Sequence, residues 1–153
     1  MFEYALRKSY EEMIAVIRIA EEDLNNEELK KEVNFRVVNF LHCLFDYYER
    51  LEKNEEILID CNDKQFFSGL RYANNKLKHD PSVLKVYQRT GGFSFPIEFP
   101  LIIEKITFNW DAITEDENPR NQKQYQNYIA HIQGKEIIRV SKDALERLKK
   151  SEG

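Results

Sequence analysis

Residues 27–53 carry apolar side chains at helical spacing from end to end, and this segment constrains the fold more than any other. Leu29, Val33, Val37, Phe40, Leu41, Leu44, Tyr48 and Leu51 form one broad stripe of a long helix. Such a stripe must be buried against another element. The preceding segment supplies one. Tyr10, Met13, Ile17, Ala20 and Leu24 keep the same period, with Glu11, Glu12, Glu21 and Glu22 on the other faces. Asn25-Asn26 breaks the pattern, and Glu27-Glu28 place negative charge where the next helix dipole favours it. Two antiparallel helices joined by a short turn are predicted.

A third helix is expected up to Asp80-Pro81, where the residue before proline avoids helical geometry. Asn62-Asp63 offers its N-cap, and Phe66, Phe67, Leu70, Ala73 and Leu77 its buried face. The stretch from Glu55 to Cys61 reads either as more helix or as a short buried segment around Ile57-Leu58-Ile59. Beyond Pro81 the period changes. Val83 to Gln88 suits a strand, Thr90-Gly91-Gly92 suggests a turn, and Phe93 to Pro100 and Ile103 to Trp110 alternate. Pro96 and Pro100 confine their strand to a sheet edge. Thr114 to Asn118 reads as an acidic loop closed by Pro119. Helix resumes over Asn121 to Ile132, with Tyr125, Tyr128, Ile129 and Ile132 in its stripe, and Gly134 interrupts it. Ser141 is placed to cap a last helix bearing Ala144, Leu145 and Leu148, with Arg147, Lys149 and Lys150 suited to its C-terminal end. The fold expected is mainly α: an antiparallel helical bundle with a small β-hairpin, at about 83–110, inserted before the C-terminal helices (α+β). Residues 1–153 read as a single domain.

Composition supports a packed core, since 42% of the residues are hydrophobic and only 5 Gly and 4 Pro occur. A net charge of -4 argues against a general nucleic-acid coat and leaves room for a local basic patch. The two cysteines, Cys43 and Cys61, show no metal spacing and are too few for a disulfide framework, which points to a reducing compartment. The N-terminal residues lack the apolar core of a signal peptide, and Met13 to Ile17 is interrupted by Arg18 and far too short to span a bilayer. A cytoplasmic protein without membrane contact is expected. There is no P-loop, no Gly-rich dinucleotide turn, no CxxC and no HExxH. Asp46, Asp60 and Asp63 have no histidine at ligand spacing. No metal or cofactor is therefore expected.

The chemistry concentrates at the end of the third helix. Arg71, Asn75 and His79 are spaced i, i+4, i+8, a drift of only about 40° per step, so they share one stripe of a helix. Arginine can stabilise developing phosphorane charge, asparagine can orient a phosphate oxygen or an imidazole, and histidine can move protons near neutral pH. Asn74, Lys76, Lys78, Lys85 and Arg89 surround them as polar and basic side chains able to contact a phosphate backbone. The plainer reading is a structural helix end, where lysine and histidine complement the dipole and Asn and Asp close the turn.

Asn75-Lys76-Leu77-Lys78-His79-Asp80, following two long antiparallel helices, resembles the HEPN superfamily. Those proteins are small helical bundles, many of them metal-independent endoribonucleases of toxin–antitoxin, phage-defence and CRISPR-associated systems. Their signature is an arginine, four to six residues and a histidine, often with asparagine directly after the arginine. Asn75 matches that amide and His79 the histidine. The arginine position falls on Asn74, and the nearest upstream arginine is Arg71, one helical turn earlier. The resemblance covers roughly residues 1–80. It implies a catalytic set of Arg71, Asn75 and His79, RNA as partner, and a homodimer, because one His79 per chain cannot be both acid and base. An antitoxin or other protein partner is also implied.

Three further features compete. Arg36 and His42 fit the arginine–five–histidine spacing, but mid-helix, where His42 reads as packed near Phe45. His131 reads as a surface or boundary residue. Phe93, Phe95, Phe99, Phe108 and Trp110 could stack RNA bases or form the packed face of the hairpin, and the second is the simpler reading. The alternative function is a non-catalytic helical protein that dimerises and binds a protein partner.

Overall fold

The computed structural model describes residues 1–80, 84–94, 100–113 and 118–151, with the side chains of 84–94 and 100–105 outside that description. The chain is mainly α, with one hairpin. Helix α1 spans Phe2–Glu21, α2 Glu27–Lys53 and α3 Cys61–Leu77. Strands β1 (Leu84–Ser94) and β2 (Pro100–Trp110) follow, then a 3₁₀ turn over Pro119–Asn121, α4 (Gln122–His131) and α5 (Ile137–Ser151).

Helices α1 and α2 pack along each other. Met13, Ile17 and Ala20 meet Val33, Val37, Phe40 and Leu44 in the core, and Tyr10 sits against the Phe40 ring at 5.7 Å. Asn26 caps α2 by accepting from the Leu29 N–H. At the far end Glu55 takes a left-handed φ of 56°, and the Glu56 N–H reaches the Leu51 carbonyl at 2.9 Å. This Schellman-type closure ends α2 and excludes a continuous helix through residue 61. The link then runs beside α5, where the Leu58 N–H donates to the Ser151 carbonyl.

The cap of α3 differs from expectation. Asp60 accepts from the Asp63 N–H at 2.8 Å, because the helix already starts at Cys61. Asp63 therefore lies in the first turn, 1% exposed, with Arg147 of α5 at 2.7 Å. Helix α3 packs on α4 at Gly69. A Cβ there would lie 2.7 Å from the Asn127 carbonyl atoms, so only glycine permits the approach.

The hairpin is antiparallel, with Leu84 opposite Trp110 and Ser94 opposite Pro100. Thr90-Gly91-Gly92 does not form the turn; it lies within β1, paired with Glu104, Ile103 and Ile102. Pro96 lies outside the described residues, and Pro100 begins β2. Phe108 and Trp110 are buried, so the base of the hairpin contributes to the core. Gly134, at a φ of 78°, turns the chain so that its N–H reaches the Trp110 carbonyl. Helix α5 then begins at Ile137, one turn before the expected cap. Ser141 is buried inside it rather than at its start. Among the described residues no helix is long and apolar enough to cross a membrane.

Candidate functional site

The end of α3 faces α2 across a cleft of about 320 Å³. Its α3 wall is Arg71, Asn74, Asn75 and Lys78; its α2 wall is His42, Phe45, Asp46 and Glu49. Both sets follow helical spacing, so each is one stripe of a rigid element.

Arg71 is held in place. Its guanidinium lies 4.6 Å over the Phe45 ring, and Nη1 donates to Glu49 Oε1 at 2.7 Å. Stacking on an aromatic face orients the planar fork. The Glu49 pair is partly solvated, and such pairs are worth about 0–1 kcal/mol, so an incoming phosphate can replace the carboxylate at little cost. Below the cleft, burial and then the nearby Glu52 carboxylate push the Tyr48 phenol up to about 12, so it stays neutral beside Arg71.

Asn74 is only 5% exposed, and among the described residues its Oδ1 accepts no hydrogen bond. An unmet buried acceptor costs roughly 1–3 kcal/mol, so this amide favours a donor brought to it in the cleft. Asn75 and Lys78 are exposed on the same wall. Two carboxylates, Asp46 and Glu49, balance the two cations Arg71 and Lys78. The cleft is therefore polar and close to neutral, unlike the uniformly basic surface of a general nucleic-acid coat.

His79 is exposed in the turn after α3, where its N–H closes on the Lys76 carbonyl, and it does not line the cleft. The cleft brings Arg71 and Asn75 together with His42 instead. His42 is exposed rather than packed, a departure from the expectation of a core residue. Arg36 is not its partner, because Glu12 at 2.7 Å and Glu32 at 2.9 Å hold that guanidinium elsewhere. Lys76 lies outside the cleft wall, with its ammonium 5.3 Å over the Tyr72 ring. The backbones of Lys85 and Arg89 pair with Asn109 and Lys105 in the hairpin, and their side chains lie outside the description.

The remaining candidates separate. Phe108 and Trp110 are core residues, which removes them from any stacking platform; the side chains of Phe93, Phe95 and Phe99 lie outside the described residues. Asp60 and Asp63 both reach Lys150, whereas Asp46 lines the α2/α3 cleft, so the three carboxylates do not form one group. Among the described residues no group of three His, Cys, Asp or Glu could hold a metal ion. His131 is half-buried near the end of α4, where burial and then Lys135 lower its pKa.

The sequence reading missed His42 as a cleft residue. The available signal was phase: His42, Asp46 and Glu49 are spaced i, i+4, i+7, a polar stripe opposite the apolar one. No protein family matches the chain, and neither a curated protein nor a solved structure matches it.

Proposed function

We propose that this chain is an RNA-directed protein of the HEPN type whose reaction is metal-independent endoribonuclease cleavage, serving a bacterial defence or toxin–antitoxin system as a homodimer. The observation that carries this reading is the cleft itself. It gathers an aromatic-stacked arginine, two asparagine amides, a lysine and a histidine on two adjacent helices. In this reading Arg71 exchanges Glu49 for the scissile phosphate and stabilises the charge that grows on its oxygens. Asn75 orients the phosphate, Lys78 holds the neighbouring backbone, and His79 transfers a proton from the turn just beyond the α3 wall.

A specific observation favours the second reading. Phe35 is 59% exposed on the outer surface of α2, and Arg71 is already satisfied by Glu49. A non-catalytic bundle that dimerises and binds a protein partner needs nothing more.

The two readings part in one experiment. Purified protein is incubated with a mixed RNA pool in EDTA, beside Arg71→Ala and His79→Ala. The ribonuclease reading expects cleavage by the wild type, reduced at least about 100-fold in each variant. An intact pool in all three samples would leave the interaction protein as the better account.

A further inference from the structure

We propose that His42 is a second proton-transfer residue of the α2/α3 cleft, so that a single chain carries both imidazoles that metal-free RNA cleavage requires. This rests on the ribonuclease reading above.

The Arg36–His42 spacing looks like a complete motif in the sequence, yet the fold divides it. Glu12 and Glu32 occupy Arg36, while His42 faces the α3 wall that bears Arg71. The histidine thus acquires an arginine from another helix. His42 is exposed, and among the described residues its ring makes no hydrogen bond or ion pair, so both nitrogens are available to a substrate. It is carried by the middle of α2, a rigid support, whereas His79 sits in a turn directly after Lys78. The charged groups facing His42 are Asp46 and Glu49 from α2 and Arg71 and Lys78 from α3.

The two proton transfers of the step need two histidines, while Arg71 stabilises the charge on the phosphate. The ribose 2′-oxygen forms a bond to phosphorus as the bond from phosphorus to the 5′-oxygen breaks. One neutral imidazole accepts the 2′-hydroxyl proton, and the other, as imidazolium, gives a proton to the departing 5′-oxygen. The products are a 2′,3′-cyclic phosphate and a free 5′-hydroxyl, with no electron transfer and no net gain or loss of protons by the protein. With His42 in the cleft and His79 in the turn directly after Lys78 of its α3 wall, one chain brings two imidazoles and does not have to borrow the second from another copy.

The test is the pH–rate profile of the full chain on a single-stranded RNA of mixed sequence in EDTA, across the range in which histidine titrates. The wild type is expected to give a bell. His42→Ala and His42→Gln are expected to slow cleavage about 10²–10⁴-fold, to remove one limb of the bell, and to leave the circular dichroism melt unchanged. Added imidazole should restore part of the rate to His42→Ala. If the wild type cleaves and both variants keep the rate, or lose rate but retain both limbs, His42 is not a proton-transfer residue and the ribonuclease reading stands without it. If the wild type leaves the RNA intact at every pH, the ribonuclease reading and this inference fall together.

Discussion

At the scale of single residues, Asp63 shows how one buried charge ties distant parts of the chain. Its carboxylate is nearly inaccessible, and two cations of α5 answer it: Arg147 at 2.7 Å and Lys150 at 3.4 Å. Arg147 also donates to Asn62 and Asp143 and stacks 4.3 Å over Phe66, so its plane is fixed on several sides. Removing one partner of a buried pair costs more than the pair itself contributes, because the other charge is stranded. Arg147→Met should therefore lower stability by about 3 kcal/mol in urea unfolding. Adding Asp63→Asn to that variant should recover part of the loss. An Arg147→Met protein as stable as the wild type would mean that Lys150 alone satisfies Asp63. The sequence suggested a cap at Asn62-Asp63 because short polar residues precede the apolar pattern. The position of Asp60 three residues upstream, together with a partner 84 residues away, gave Asp63 its actual role.

At the scale of elements, α3 and α4 meet with no room for a side chain between their backbones at Gly69. Gly69 lies against the backbone of Asn127 and Tyr128, and neither side can yield by rotating a side chain. In an isolated helix Gly69→Ala would gain about 1 kcal/mol from helix propensity. Here the added methyl must push two helices apart, and overpacking of this kind costs typically 1–3 kcal/mol. The variant should melt at lower temperature and lose the Ser68–Asn127 side-chain hydrogen bond, now 3.1 Å, an outcome readable from the amide resonances of both residues. A higher melting temperature would show that α4 can shift freely. The helices themselves were legible from local pattern, and α2 runs over the expected residues 27–53. The hairpin was legible too, but not its length. Glycines at Gly91 and Gly92 signal a turn locally, while cross-strand pairing with Ile103 and Ile102 holds them in β1.

At the scale of the whole molecule, tyrosines set an alkaline limit. Burial raises the phenol pKa of Tyr48, to about 12, and raises that of Tyr128 further. Tyr128 donates to the Asp111 carbonyl and packs on Tyr72, so ionising it would strand that acceptor inside the core. An unfolded tyrosine loses its proton near pH 10, whereas these folded ones keep theirs. Their contribution is present below pH of about 10 and is lost as pH rises through about 12. Urea midpoints should therefore fall steeply over that interval, and less steeply in Tyr48→Phe. A flat profile would mean that the core admits phenolates.

The sequence by itself determined the elements, their order and the mainly helical class, because period, caps and breakers act over one or two turns of chain. It also marked Arg71 and Asn75, which share one stripe of one helix. Only the tertiary structure decided what those residues face. Arg71 lies over Phe45 and against Glu49, 22 residues earlier, and His42 lies across the cleft, because the packing of α3 on α2 selects the opposing stripes. That packing depends on which apolar faces fit together across the core, information that is shared between helices and carried by neither alone.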